Sequence, residues 1–135
     1  MNTYTGPHIV STIVIVAARR TPLGGFQGVL SSVSAPDLSA TATKACIADS
    51  KLSAADIDEA IIGCVLPAGI GQAPARQAAL KAGLPISAGA TTINKVCGSG
   101  MKSVMLASDM IKAGSAKVVL AGGMESMSGS PYLLP

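Results

Sequence analysis

Short β-branched apolar runs alternate along this chain with stretches rich in helix formers, and that alternation restricts the fold more than any other feature. The runs are Ser11–Ala18, Glu59–Val65, Thr91–Val96 and Lys117–Ala121. The first is apolar on both of its faces, which suits a strand covered on both sides of a sheet. Thr21-Pro22-Leu23-Gly24-Gly25 stops it. Pro36-Asp37-Leu38 then opens a helix in which Leu38, Ala42, Ala45, Cys46 and Ala48 fall at near-helical spacing, ending around Asp49 to Leu52. Ser53 is placed to cap a short helical turn before the second strand. Pro74–Ala82 has proline at its start and Gly83 just past its end, the asymmetry expected of a helix. A third helix spans about Met101 to Ala113 and is stopped by Gly114. Strand, helix, strand, helix, strand, helix, strand predicts a layered α/β unit.

A chain of 135 residues has room for one sizeable core. Hydrophobic residues make up 49% of it and aromatics only 2%, so the core must be built from Ala, Val, Ile, Leu and Met, which suits close packing of helix on sheet. Charged residues are sparse at 13%, which implies that part of the surface is covered by something else. The net charge of +3 comes from scattered lysines and arginines with only Arg19 and Arg20 adjacent, so there is no basic stripe for nucleic acid. No apolar run approaches the roughly eighteen residues of a membrane span. No leader signal is evident at the N-terminus, so a cytoplasmic protein is expected. The three cysteines, Cys46, Cys64 and Cys97, fit neither a disulfide framework nor a zinc pattern, and reduced thiols are expected. With His8 the single histidine, no metal site is expected.

Chemistry concentrates in Asn94-Lys95-Val96-Cys97-Gly98-Ser99-Gly100-Met101, where a cysteine sits between a strand end and the first turn of a helix. Unpaired N–H groups and the positive end of the helix dipole favour a thiolate at such a position. The flanking glycines permit a sharp turn and close approach of a substrate, the logic of a nucleophile elbow. The backbone N–H of the nucleophile can join an oxyanion hole. The same residues would also serve a small core cysteine on a tight strand-to-helix turn. Cys46, on a helix face, and Cys64, within a strand, read as core residues. Gly122-Gly123-Met124-Glu125 is too short for a dinucleotide loop, and Ala68-Gly69-Ile70-Gly71-Gln72 lacks the ending of a phosphate loop. Both read as turns.

Taken in order, four segments resemble the thiolase family, and within it the biosynthetic, acetyl-CoA acetyltransferase type. They are Val16–Pro22 with the glycines that follow, Val65–Gln72 running into Pro74–Ala78, Asn94–Met101, and Ala121–Met127. The resemblance implies an α/β/α layered fold with a mixed sheet, of which this chain is the N-terminal half, and a helix after Cys97 buried between two sheets. It implies that Cys97 takes an acyl group from acyl-CoA as a thioester, in a reversible condensation of two acetyl-CoA to acetoacetyl-CoA and CoA. Coenzyme A thioesters are then substrates, no resident cofactor is expected, and the complete enzyme is a homo-oligomer. Family members also use a histidine in a Gly-His-Pro motif, a second cysteine in a Cys-x-Gly-Gly motif and an Asn-His pair. None of these motifs occurs in the 135 residues, and His8 matches no catalytic position.

Residues 1–125 are therefore expected to form the nucleophile-bearing α/β domain, and residues 126–135, rich in Ser, Gly and Pro, the start of a linker toward a further loop domain. By itself the chain is expected to be inactive. Two other functions fit parts of the pattern: a β-ketoacyl synthase, which resembles thiolases in fold and also acylates a cysteine, and a non-catalytic piece acting in oligomerisation.

Overall fold

The computed structural model describes residues 12–135. In chain order the elements are α1 (Ala35–Ser50), β1 (Glu59–Gly63), α2 (Pro74–Ala82), β2 (Gly89–Ile93), α3 (Ser99–Lys112) and β3 (Val119–Gly123). β1 is central, paired in parallel with β2 on one side and β3 on the other. Ile62 lies opposite both Thr92 and Gly122, so all three strands finish at one edge. Along β1 the side chains alternate between the two faces. Ala60 packs with Ala40, Ala79 and Leu84, and Ile62 with Ala75 and Ala78, so one face of the sheet is covered by α2 with α1 against it. Gly63 faces the other way, onto the start of α3. The result is an α/β/α layering in which alanines, several of them fully buried, allow helix and sheet to approach closely.

Local signals set most of the boundaries. α2 begins at Pro74 and ends where Gly83 takes a left-handed φ of 96°, its N–H and that of Leu84 closing back onto Leu80 and Ala79 carbonyls. Ser53 caps a short helical turn at Ala54–Asp56, and the Asp56 carboxylate in return accepts the Ser53 N–H.

Several expectations need correction, the strand ends among them: β1 stops at Gly63, β2 at Ile93, and β3 begins at Val119. The sheet is parallel throughout the described residues, not mixed. The run Ser11–Ala18 forms no strand from Thr12 onward; it is irregular, with Val14, Ile15 and Val16 60–78% exposed. A strand apolar on both faces needs a paired neighbour and cover on both sides, and no described strand supplies them. α1 buries Pro36, Ala40 and Thr43, while Ala45 and Ala48 are exposed. Small residues lie all round this helix, so its periodicity carries little contrast. Finally, Gly122 and Gly123 are the last residues of β3, not a turn.

α3 is buried on one face only, through Ser99, Ser103 and Ala107, and leaves Met101, Val104 and Met105 exposed. The second covering layer that the resemblance implies is not formed by the described residues. Among those residues no helix is long and apolar enough to cross a membrane.

An acid-sensitive clasp joins β1 to β3. The Asp58 carboxylate accepts the N–H groups of Lys117 at 2.7 Å and Val118 at 3.0 Å, and these bonds hold its carboxyl below the usual carboxylate range. Asp37 is lowered likewise, first by its bond to Lys81 and then by Ser34. Because folding lowers these values, their contribution is complete above the unfolded carboxylate value of about 4 and is lost as pH falls through the lower native values. Urea midpoints should therefore fall between pH 6 and pH 3, and Asp58→Asn should flatten that fall. An unchanged pH dependence in the variant would contradict the clasp.

Candidate active site

Loops leave the carboxyl edge of the sheet after each strand, at Cys64, Asn94 and Met124. This is the edge at which parallel α/β sheets bind ligands. Cys97 lies in the second loop, exposed, one residue before Gly98, the N-cap of α3. Its turn is tied by local bonds: Val96 N–H donates to Asn94 Oδ1 at 2.9 Å, Gly98 N–H to the Lys95 carbonyl at 3.0 Å, and Ser99 N–H to the Val96 carbonyl at 3.1 Å. Ser99, 4% exposed, accepts from Lys95 N–H at 2.8 Å and donates to the Val96 carbonyl at 2.6 Å. Val96 is thereby held at φ 48°, the left-handed region that a β-branched residue rarely enters. Strain of this kind persists only where the surroundings over-determine it, and it clusters at functional sites.

The first turn of α3 reaches the sheet because glycine occupies three facing positions. A Cβ on Gly63 would lie 2.5 Å from Ser99 Cβ and 2.7 Å from the Ser99 carbonyl carbon, and one on Gly123 would lie 3.1 Å from Gly100 Cα. The Ser103 hydroxyl, fully buried, lies 2.7 Å from the Gly122 carbonyl and 2.6 Å from that of Gly100, and pins the helix there. Gly63→Ala should therefore push the helix start off the sheet, costing about 1–3 kcal/mol as overpacking does. A urea midpoint equal to that of the parent would contradict this packing.

Gly98 supplies no side-chain cap, so the N-terminus of α3 beside Cys97 is left to the backbone. Such an end attracts negative charge. The other two thiols are differently placed. Cys64 is 2% exposed, and burial first, then the Glu125 charge, push its thiol up to about 11. Cys46 is half-buried, and burial followed by the Asp49 charge raises its thiol too. Cys64 matches the core reading, whereas Cys46 belongs to neither core cluster. Cys97 alone among the three is exposed.

Glu125 and Asn94 join the loops, and neither has a role legible in the sequence. The Glu125 carboxylate accepts the N–H groups of Val65 at 2.9 Å and Leu66 at 3.0 Å, and Asn94 Nδ2 lies 3.3 Å from the Val65 carbonyl. The only hint was that both residues lie in segments carrying the family resemblance. His8 falls outside the described residues. Among the described residues no group of three or more His, Cys, Asp and Glu is placed to hold a metal.

Residues 13–135 match the family described as thiolase, N-terminal domain. An acetyl-CoA acetyltransferase of Yarrowia lipolytica is 59% identical over 118 residues, covering 87% of this chain and 30% of the relative. One from Escherichia coli is 56% identical over 121 residues, covering 90% and 31%. The crystal structure of Acat5 thiolase from Ascaris suum in complex with coenzyme A superposes with a TM-score of 0.88 at 43% identity, over 90% of this chain and 32% of that one. The chain thus spans about a third of the length of the relatives it matches.

Proposed function

This chain belongs to the thiolase family, and we propose that it carries the nucleophile, Cys97, of an acetyl-CoA acetyltransferase. The observation that carries the reading is the placement of Cys97: exposed at the carboxyl edge of the sheet, on a strained turn against an uncapped helix N-terminus. In the first half-reaction the Cys97 thiolate attacks the thioester carbon of acetyl-CoA, the negative charge passes to the carbonyl oxygen beside the backbone N–H groups, and the C–S bond to CoA breaks as CoA leaves and takes up a proton. In the second, a carbanion formed at the methyl carbon of another acetyl-CoA attacks the acyl-cysteine. A C–C bond forms, acetoacetyl-CoA departs and the cysteine sulfur is regenerated. Proton transfers fall to the histidine and second cysteine that the family resemblance implies, on residues outside these 135.

On the same reading coenzyme A thioesters are substrates, no resident cofactor or metal takes part, residues 1–125 act as the nucleophile domain with the linker beginning at 126, and the complete enzyme is a cytoplasmic homo-oligomer. The similarity to named acetyl-CoA acetyltransferases and to a thiolase crystallised with coenzyme A supports the substrate class. A chimera joining this chain to the remaining part of one such relative tests the proposal. It should cleave acetoacetyl-CoA with added CoA over many turnovers. A folded chimera with no turnover would contradict it.

A further inference from the structure

The geometry points to Glu125 as a positioning residue for Cys97, acting through the Val65 backbone and Asn94 on the turn that presents the thiol. This rests on the reading of Cys97 as the acyl acceptor and assigns a role to a residue that never touches it. Glu125 follows β3 by two residues, and its carboxylate turns back across the sheet edge to take two successive N–H groups at the exit of β1. Those bonds fix the Val65 peptide, whose carbonyl faces Asn94 Nδ2 at 3.3 Å. Asn94 in turn uses its Oδ1 to hold the Val96 N–H at 2.9 Å, on the residue kept at φ 48° immediately before Cys97. Three loops of the carboxyl edge are thus linked in series, and the strained residue stands at the end of the series.

A purely structural carboxylate would need only to satisfy the β1 exit, and its removal would lower stability without favouring one reaction of Cys97 over another. A positioning carboxylate predicts something narrower. Attack on an ester needs both an oriented sulfur and N–H groups aimed at the developing oxyanion, whereas alkylation by iodoacetamide develops no oxyanion. Loss of the turn should therefore slow acylation of Cys97 more than its alkylation.

The test uses the 135-residue chain, p-nitrophenyl acetate and iodoacetamide, with rates at each cysteine read by peptide mass spectrometry. In Glu125→Ala the ratio of acylation to alkylation at Cys97 should fall roughly tenfold or more, the order that small misplacement of a reacting group produces. Glu125→Gln, which keeps one acceptor oxygen, should fall less. Asn94→Ala should reproduce the alanine effect, and Glu125→Ala with Asn94→Ala together should add little further, since both act on one turn. Because Glu125 itself helps raise the Cys64 thiol, loss of the cooperative urea transition, and not Cys64 alkylation, would mark a variant that has unfolded, and the ratio is then read from Glu125→Gln and Asn94→Ala. An unmoved ratio in those two variants, or losses that simply add, would overturn the role given to Glu125. Acylation of the unsubstituted chain at a cysteine other than Cys97 would instead overturn the assignment of the nucleophile itself.

Discussion

Replacing Cys97 by alanine in the chimeric enzyme is expected to reduce acetoacetyl-CoA cleavage at least about ten-thousand-fold, the order of loss when the nucleophile of a catalytic unit is removed. The variant should fold as the parent does, because the Cys97 side chain is exposed and the turn is held by Asn94, Lys95, Val96 and Ser99 rather than by the thiol. Cys64 offers no substitute: it packs in one core cluster with Ile62, Ala75 and Ala78, with its thiol pushed up to about 11 by burial and by Glu125. Cys46→Ala should leave turnover unchanged and cost about 1 kcal/mol of stability or less, since it removes only a half-buried sulfur. Steady-state rates beside urea midpoints separate the two effects. Substantial turnover in Cys97→Ala would remove this cysteine from the mechanism.

No turnover is expected from the 135-residue chain by itself, even where Cys97 accepts an acetyl group stoichiometrically. Each general acid–base step contributes roughly a hundred- to ten-thousand-fold, and oxyanion stabilisation adds a comparable factor. Groups that act as a unit leave no additive remnant when most of them are missing. Neither a Gly-His-Pro nor a Cys-x-Gly-Gly motif occurs in these residues to supply them. The assay is acetoacetyl-CoA with added CoA, followed by loss of the absorbance of the magnesium-bound enolate. Multiple turnovers by the purified chain would mean that acid–base groups are found within it after all.

Much of the fold could be read from local signals because local chemistry sets it. Pro74 and Gly83 bracket α2, and Ser53 with Asp56 closes a capping box three residues apart. Strand ends were less legible. Val65 was expected in β1, but its N–H goes to Glu125, 60 residues away; Lys117 and Val118 were expected in the last strand, but their N–H groups go to Asp58. Side chains brought in by the tertiary fold took donors that a ladder would have used, and no window of sequence contains both partners. The stretch Ser11–Ala18 erred differently. Its apolar pattern is that of a buried strand, yet burial depends on neighbours that the pattern does not name.

The site divides along the same line. The position of Cys97 at a helix start was legible because its glycines and the following helix are adjacent to it in sequence. The left-handed Val96, the Gly63 position that admits Ser99 and the Glu125–Val65–Asn94 connection were not, because each depends on a contact between loops far apart in the chain. The Gly-Gly-Met-Glu segment was visible as a family feature without a physical reason. The structure supplies one: Gly123 admits Gly100, and Glu125 holds the exit of β1.

The most direct test of Cys97 as the nucleophile is its reactivity against the other two thiols of the folded chain. Treatment with limiting iodoacetamide, followed by peptide mass spectrometry, should label Cys97 well before Cys46 and before any detectable labelling of Cys64, in keeping with exposed, half-buried and buried positions and with the raised thiols of the latter two. Prior labelling of Cys46 or Cys64 in the folded chain would contradict the assignment.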